Sequence, residues 1–250
     1  MLEKQRKRSS IENAFRILNL FSIDEPEMSV TTISQKLNVP KSTTYRLLSS
    51  LLQEEFLHKN PNTSRYSLGT SILSLVNIVN SQIHIANESV PFLNKLVEET
   101  GENAHLAILD NGETVYIQTM KGVYTFSDEG KIQLGTRRDA VSTAAGRILL
   151  AFHPNPTEKT LLAGNVIQEL EEIKKQGYAL LMDAYQKNET EIAIPVFDEP
   201  GQVIASLSIT ANSKRVQSYI QIKPFLYLLN QAGEGLRKVI ELRKRGKKVE

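Results

Sequence analysis

The sequence predicts an α+β protein in which a small helical N-terminal domain precedes a larger domain with a mostly antiparallel sheet. Three amphipathic helices and a short hairpin fill about the first seventy positions of the 250-residue chain, and strand-like and helix-like segments follow. The apolar fraction of 40% and the charged fraction of 23% are ordinary for folded domains.

The charge of the chain is distributed unevenly. Residues 1–70 carry ten Lys and Arg against seven Asp and Glu, residues 71–236 carry 13 against 19, and residues 237–250 carry seven against two. Basic ends on an acidic middle indicate that only part of the molecule approaches a polyanion. The C-terminal run at residues 243–248 is expected to fray, and a phosphate contact is the alternative.

The chain contains no cysteine, which excludes disulfides and thiolate chemistry and fits a reducing compartment. An N-terminal signal segment and a long apolar run are also lacking, so secretion and membrane spanning are disfavoured. We therefore expect a cytoplasmic protein.

The stretch from Ser29 to Arg46 is typical of two helices joined by a sharp turn. Ser29 is a natural N-cap, and Pro40 ends the first helix because the residue before a proline avoids the α region. The second helix opens with side-chain donors, which are Lys41, Ser42, Thr43, Thr44, Tyr45 and Arg46. Such a helix front suits the major groove of DNA. The alternative is a solvated first turn in any small helical protein.

A further helix and a hairpin complete this domain. Ser9 to Glu12 has a capping pattern, and the predicted apolar face of the helix that follows comprises Ile11, Ala14, Phe15, Leu18 and Phe21. Two short strands flank a turn at Asn60–Ser64. Three helices and a basic hairpin make a winged helix-turn-helix, and Lys59 and Arg65 flank the loop that could contact the DNA backbone or minor groove.

The rest of the chain alternates between helix and strand patterns. The helix at residues 69–84 is too apolar for a solvated spacer, so it is expected to pack on another chain or domain. Strands are predicted at His105–Leu109, Thr114–Met120, Val123–Phe126, Lys131–Leu134, Tyr178–Leu181, Glu191–Phe197 and Val203–Thr210. Helices are predicted at Ser89–Thr100, Ser142–Phe152, Pro156–Leu162, Val166–Gln176 and about Ser218–Leu242. Asn111-Gly112 predicts a type I′ turn.

Several segments resemble the IclR family of bacterial transcription regulators. SIENAFRIL, KSTTYRLL and RYSLG are similar to its N-terminal domain, while GTRRDAVSTAAGRILLAF, GYAL and IAIPVFDEPGQVIASLSIT are similar to its second half. The resemblance implies a winged helix-turn-helix DNA-binding domain at 1–68 (helix-turn-helix about 29–48), a linker and dimerisation helix at 69–86, and a GAF-like effector-binding domain at 87–250. It also implies a homodimer or dimer of dimers on a palindromic operator.

The resemblance assigns DNA contacts to individual residues. Those at the start of the recognition helix are Lys41, Ser42, Thr43, Tyr45 and Arg46, and those expected on phosphates are Arg8, Lys59 and Arg65. Phosphate contacts position the protein while the helix front reads the bases. Half-buried packing is an equal alternative for Tyr45.

The resemblance also assigns an effector site. Ala144, Ala145 and Gly146 lie where the family offers backbone N–H groups to a ligand carboxylate, and a helix start favours an anion. The equal alternative is that these small residues only allow close packing of a helix on the sheet. Ser208 and Thr210 match positions that hold the polar end of the ligand.

Two departures from the family pattern concern acidic residues. Where relatives often have an acid soon after the GY dipeptide, this chain has Leu181, with Asp183 nearby. Glu191 stands where a small or thiol side chain is common. If Glu191 points inward, it repels a carboxylate effector unless it is protonated or paired, and a cationic, zwitterionic or larger amide ligand then fits. Otherwise Glu191 faces solvent at a strand end.

Catalytic signatures are missing from the sequence. The histidines at 58, 84, 105 and 153 lack metal-ligand spacing, and no G-x-S-x-G, P-loop or G-x-G-x-x-G motif occurs. The sequence therefore predicts a ligand-responsive transcriptional regulator, a repressor rather than an activator, with no enzymatic activity, cofactor or metal. The alternatives are an activator of the same family, a nucleic-acid-binding protein whose C-terminal domain only mediates assembly, and an enzyme that uses the C-terminal cup.

Overall fold

The computed structural model describes residues 9–22, 24–124, 132–153, 164–182, 188–199, 202–216 and 218–247, of which 80–82, 164, 165, 199, 219, 246 and 247 are described by backbone alone. The chain divides into two compact units, Met1–Gln82 and Ile83–Glu250. We call them the N-terminal unit and the C-terminal unit.

The described part of the N-terminal unit comprises four helices and a two-stranded hairpin. In chain order they are α1 (Ser10–Leu18), α2 (Val30–Leu37), α3 (Lys41–Gln53), β1 (Leu57–Lys59), β2 (Tyr66–Leu68) and α4 (Ser71–Gln82). Strands β1 and β2 pair antiparallel, and Tyr66 forms a further bridge to Met28 ahead of α2. The predicted winged helix-turn-helix is confirmed.

Side-chain caps begin α1 and α2. The Ser9 hydroxyl accepts the Glu12 N–H at 3.1 Å and the Glu12 carboxylate accepts the Ser9 N–H at 2.6 Å, which is a capping box. The Ser29 hydroxyl accepts the Thr32 N–H at 3.1 Å. Helix α2 ends at Asn38, whose φ of 55° lies in the left-handed region that asparagine tolerates.

The predicted apolar face of α1 is wrong in part. Ile11 is 66% exposed and Phe15 is 61% exposed, whereas Ile17 and Asn13 are buried. Arg16 explains this orientation, because its guanidinium donates to Asn13 Oδ1 at 3.0 Å and to the Leu37 carbonyl at 3.1 Å. A polar contact therefore joins α1 to the end of α2 and turns two apolar side chains outward.

Helix α4 exposes a row of apolar side chains within its unit. They are Leu73, Leu75, Val76, Ile78 and Val79. An exposed apolar patch of this kind is typical of an interaction site. The role of the helix as a dimerisation element stays a prediction.

An antiparallel six-stranded sheet with helices on both faces forms the C-terminal unit. Its elements are α5 (His84–Thr100), β3 (Asn103–Asp110), β4 (Glu113–Met120), β5 (Arg137–Asp139), α6 (Ala144–Ala151), α7 (Gly164–Gln176), β6 (Ala179–Met182), β7 (Glu189–Glu199), β8 (Gln202–Asn212) and α8 (Tyr219–Lys247). The strand order is β5-β4-β3-β8-β7-β6, and all neighbours pair antiparallel. The predicted α+β class is confirmed.

Strand alternation divides the C-terminal unit into two cores. Leu106, Ile192 and Leu207 face α5 and α8, while Ala107 and Ala193 belong to the core under α6 and α7. Small alanines on the second face let α6 approach the sheet closely.

The β3–β4 turn has the predicted type I′ character. Asn111 has a φ of 52° and Gly112 a φ of 83°, so both central residues are left-handed. The turn fixes the register in which β3 and β4 bring their side chains to a common face.

The strands predicted after β4 are wrong where the structure describes them. Val123 and Tyr124 form a turn, and residues 132–136 form a loop rather than a strand. The added strand is β5 instead, because Arg137 bonds to Glu113 at 2.7 Å and also forms an ion pair with Asp110. Residues 125–131, and the helix predicted at Pro156–Leu162, lie outside the described residues.

The C-terminal basic run does not fray over its described part. Helix α8 continues to Lys247, five residues beyond the predicted end at Leu242. Arg243 pairs with Glu88 of α5 at 3.0 Å, and Lys244 pairs with Asp198 of β7. These ion pairs explain why the helix continues.

Among the helices that the structure describes, none combines the length and the apolarity that crossing a bilayer requires.

Candidate nucleic-acid interface and buried polar cup

The two sides of α3 differ in the way that a recognition helix requires. Its rear is buried at Thr44, Leu47 and Leu48. Its front carries the exposed side chains of Lys41, Ser42, Tyr45 and Arg46, with Thr43 half-buried. Tyr45 is 49% exposed, so it belongs to the front. This surface offers hydroxyl, ammonium and guanidinium donors.

The first turn of α3 also offers backbone donors. Pro40 precedes it, and no described side chain caps the helix. The Thr44 hydroxyl donates to the Pro40 carbonyl at 3.1 Å and so contacts the backbone rather than the front of the helix. Free N–H groups at a helix start bind phosphate well. The end of α3 that carries Lys41 and Ser42 therefore suits a polyanion.

The β1–β2 hairpin, which is the wing of the winged helix-turn-helix, presents two basic side chains next to its turn. Lys59 and Arg65 are both exposed. Asn60 shapes the turn, because its Oδ1 accepts the N–H groups of Asn62 at 3.0 Å and Thr63 at 3.3 Å. The Lys59 ammonium lies 5.6 Å from the centre of the Tyr66 ring. Arg8 lies outside the described residues.

In the C-terminal unit, a cup of buried polar side chains lies on the sheet face that α6 covers. Its members are His105, Tyr116, Glu191, Ser208 and Thr210. Across β3, β8 and β7, His105, Ser208 and Ala193 form one row, and Asn103, Thr210 and Glu191 form the next. Residues from distant parts of the chain therefore meet on one surface.

Glu191 points inward and is fully buried. Its Oε2 accepts the N–H of Ala144 at 2.6 Å and the N–H of Ala145 at 3.3 Å. Its Oε1 accepts the Tyr116 hydroxyl at 3.1 Å. The N-terminal end of a helix stabilises a negative charge, so these contacts favour the carboxylate form. The alternative that Glu191 faces solvent is wrong.

The start of α6 is held on β4 by Thr143 and Gly146. The Thr143 hydroxyl accepts the Gly146 N–H at 2.9 Å and lies 2.9 Å from the Thr114 hydroxyl. A Cβ atom on Gly146 would lie 2.2 Å from both the Ala140 carbonyl oxygen and the Thr114 hydroxyl. Gly146 therefore permits close packing, and its N–H is already bonded.

His105 links the strands on either side of β3. Its Nδ1 bonds to the Thr119 hydroxyl, and its Nε2 lies 3.3 Å from the Thr210 hydroxyl. Its ring meets the Tyr116 ring edge to face at 5.7 Å. Burial lowers the pKa of His105 from 6.5 to about 3, so the imidazole is neutral at pH 7.

A comparison of the chain with models of known protein families identifies its family from residues 78–236. Residues 78–236 match the family model described as "Bacterial transcriptional regulator IclR C-terminal", which covers more than half of the chain. The chain belongs to the IclR family. A second family model, "IclR helix-turn-helix domain", matches residues 10–61 of this IclR-family protein.

Named relatives of this IclR-family chain are transcriptional regulators. It is 29% identical over 246 residues to the HTH-type transcriptional regulator XynR of Escherichia coli K12, covering 92% of this chain and 96% of XynR. It is 28% identical to KdgR of the same organism, covering 85% of this chain and 87% of KdgR. These relatives confirm the prediction of a DNA-binding transcriptional regulator with an effector-binding domain, and not an enzyme.

Solved structures share the fold. An IclR homolog complexed with 4-hydroxybenzoate from Microbacterium hydrocarbonoxydans superposes with a TM-score of 0.81 at 19% identity, covering 94% of this chain and all of that one. The Thermotoga maritima IclR gives a TM-score of 0.72 at 25% identity, with 92% and 98% covered.

The IclR-family structure brings together most of the predicted effector residues. The N–H groups of Ala144 and Ala145 both donate to Glu191, while Ser208 and Thr210 lie on the same sheet face as Glu191. Ala144 and Ala145 donate to the carboxylate of Glu191, and Gly146 allows close packing, so the contact of these amides with a ligand carboxylate stays a prediction. Asp183 lies outside the described residues.

Sequence reasoning missed four residues that shape the cup. They are His105, Tyr116, Thr119 and Thr143. The predicted Asn-Gly turn could have placed His105, Tyr116 and Thr119 near one another, since it sets the register of β3 and β4.

Among the described residues, no group of three or more His, Asp or Glu could hold a metal ion.

The buried His105 predicts an acid-sensitive C-terminal unit. The folded state keeps its pKa at about 3 and the unfolded state returns it to about 6.5. Between these values the unfolded chain binds more protons, so stability is full above pH 6.5 and falls on acidification. From pH 7 to pH 5 we expect a loss of about 2 kcal/mol from this group.

The measurement is the free energy of unfolding of the wild type and of His105→Gln at the two pH values. Burial raises the pKa values of Glu102 and Glu189, and these groups change stability in the opposite direction. The variant still contains both, so the difference isolates His105. The exposed His84, changed to glutamine, is the matched control. Equal pH dependence in the wild type and His105→Gln would contradict this assignment.

Proposed function

We propose that this chain is a cytoplasmic repressor that binds a palindromic operator as a dimer and responds to a small effector in the C-terminal cup. One observation carries the DNA-binding part, which is the exposed, uncapped and donor-rich start of α3 over a buried rear. The domain limits that go with it are 1–68, 69–86 and 87–250.

The proposed contacts with DNA comprise this surface, two residues of the β1–β2 hairpin and one N-terminal arginine. Lys41, Ser42, Thr43, Tyr45 and Arg46 enter the major groove, and Lys59, Arg65 and Arg8 bind phosphates. The apolar row on α4 supports the dimer, because a dimer covers the exposed surface of both copies. Two recognition helices then meet two half-sites of one palindrome.

The proposal that this chain represses rather than activates transcription comes from a named relative. The HTH-type transcriptional repressor AllR of Klebsiella pneumoniae is 27% identical over 234 residues. An activator of the same family is the second candidate. Ligand binding in the cup would change the spacing of the two recognition helices and so their match to the half-sites.

Changing Arg46 to alanine tests the recognition surface. Arg46 is exposed, so the fold is retained, and loss of a base contact is expected to weaken operator binding by about 1–3 kcal/mol, or roughly five- to 150-fold. A mobility-shift assay with DNA upstream of the gene, at stated salt, measures this affinity.

The control for Arg46→Ala is Gln53→Ala, at the opposite end of the same helix. It should bind like the wild type. Unchanged affinity in Arg46→Ala would remove Arg46 from the contacts. A wild-type chain that does not prefer this DNA over random duplex at any salt would refute the proposed function.

A further inference from the structure

Glu191 occupies the place in the cup where an anionic ligand would bind. The helix start provides three amides that lack partners within α6, those of Ala144, Ala145 and Gly146. The first two donate to Glu191 Oε2, and the third donates to the Thr143 hydroxyl. All three are therefore used by the protein itself. A second carboxylate would find no amide here and would meet the charge of the first.

The other polar groups of the cup carry no charge. His105 is neutral at pH 7, and Ser208 and Thr210 are hydroxyls. The Ser208 hydroxyl is fully buried and makes no hydrogen bond within the described part of the chain. A buried hydroxyl without a partner is costly, so this group points to a ligand or water that bonds to it. It stands in the row next to Glu191, on the same face.

We propose that Glu191 is a resident carboxylate that replaces a ligand carboxylate, so that the cup accepts an uncharged, hydroxyl- or amide-bearing effector and rejects acids. The inference rests on the proposed function, since it names the ligand class of the sensing site. The effector bonds to the Ser208 hydroxyl, which both donates and accepts. Glu191 keeps the start of α6 satisfied whether or not the effector is bound.

Removing the Glu191 side chain tests this assignment by chemical rescue. In Glu191→Ala the missing atoms are those of acetate, so the vacated amides can bind added acetate. We expect the Tm of the C-terminal unit to fall by about 5 °C and to recover by at least half in 100 mM sodium acetate. Sodium chloride at the same ionic strength should give no recovery, and neither should acetamide, which lacks the charge.

The wild type and two variants provide the controls. Wild-type Tm should be the same in acetate and in chloride, because Glu191 already fills the site. Glu191→Gln retains the bulk of the side chain and should not respond to acetate. Glu189→Ala, on the same strand, tests whether loss of any neighbouring acid has the effect. It should show no acetate-specific recovery.

Two outcomes would overturn the inference. One is acetate stabilising the wild type as much as Glu191→Ala, which would mean that the helix start is open to acids. The other is a folded Glu191→Ala that gains nothing from acetate. If Glu191→Ala does not fold, the wild-type and Glu191→Gln measurements still decide, since stabilisation of either by acetate contradicts the proposal. None of these measurements uses DNA, so operator binding by the wild type separately tests the proposed function.

Discussion

Leu48→Ala is expected to destabilise the N-terminal unit by about 3 kcal/mol and to abolish operator binding. Leu48 is fully buried on the rear of α3, where it packs with Ile17 of α1 and Ile33 of α2. Truncation leaves a cavity at the point where the three helices meet. A unit this small has only a few kcal/mol of net stability, so the loss is a large part of it.

Thermal unfolding followed by circular dichroism, together with limited proteolysis, measures this effect. Protease cleavage should concentrate in the N-terminal unit, while the transition of the C-terminal unit stays unchanged. Leu68→Ala is the matched control, because this leucine of β2 is 43% exposed and its loss should cost less than about 1 kcal/mol. If Leu48→Ala melts like Leu68→Ala, the packing of α3 described above is wrong.

Gly146→Ala is expected to destabilise the C-terminal unit by about 3 kcal/mol. The added Cβ would lie 2.2 Å from the backbone carbonyl of Ala140 and from the buried hydroxyl of Thr114, so relieving these clashes would shift the turn before α6 or break the Thr114–Thr143 contact. Alanine improves helix propensity by roughly 1 kcal/mol, which offsets only part of the strain. The displaced helix would also weaken the amide bonds to Glu191.

Chemical denaturation of the C-terminal unit measures this loss of stability. Gly233→Ala is the matched control, because it also places a Cβ in a helix, and the nearest atom to that Cβ is the end of the flexible Ile194 side chain at 3.0 Å, with the next neighbours at 4.0 Å. Its stability should change by less than about 1 kcal/mol. Equal stability of the two variants would show that α6 lies farther from β4 than described.

The N-terminal unit was largely predictable because its signals are local. The serine caps, the helix end at Asn38 ahead of Pro40 and the Asn60 turn each act within a few residues, and each appears in the structure. The orientation of α1 could not be predicted from the sequence, because it depends on a hydrogen bond from Arg16 to the Leu37 carbonyl. Exposure of Phe15 follows from that tertiary contact and not from helical periodicity.

For the cup, the sequence could predict only which side chains share one side of each strand, and not what covers that side. Alternation along β8 correctly placed Ser208 and Thr210 on one side of the strand, but only sheet pairing shows that this side lies under α6. The direction of Glu191 depended on the same pairing. The continuation of α8 was missed because its ion pairs join Arg243 and Lys244 to residues far away in the sequence.

The strand order β4-β3-β8-β7 places two local hairpins side by side, and their junction joins residues roughly a hundred positions apart, such as Ala104 and Ile209. Each hairpin can form early, since its turn is short, whereas the junction must wait for a long loop to close. Tyr116 and His105 belong to one hairpin, Glu191 and Ser208 to the other. The cup therefore requires the long-range pairing of β3 with β8, and an effector that binds there can recognise only molecules in which this pairing has formed.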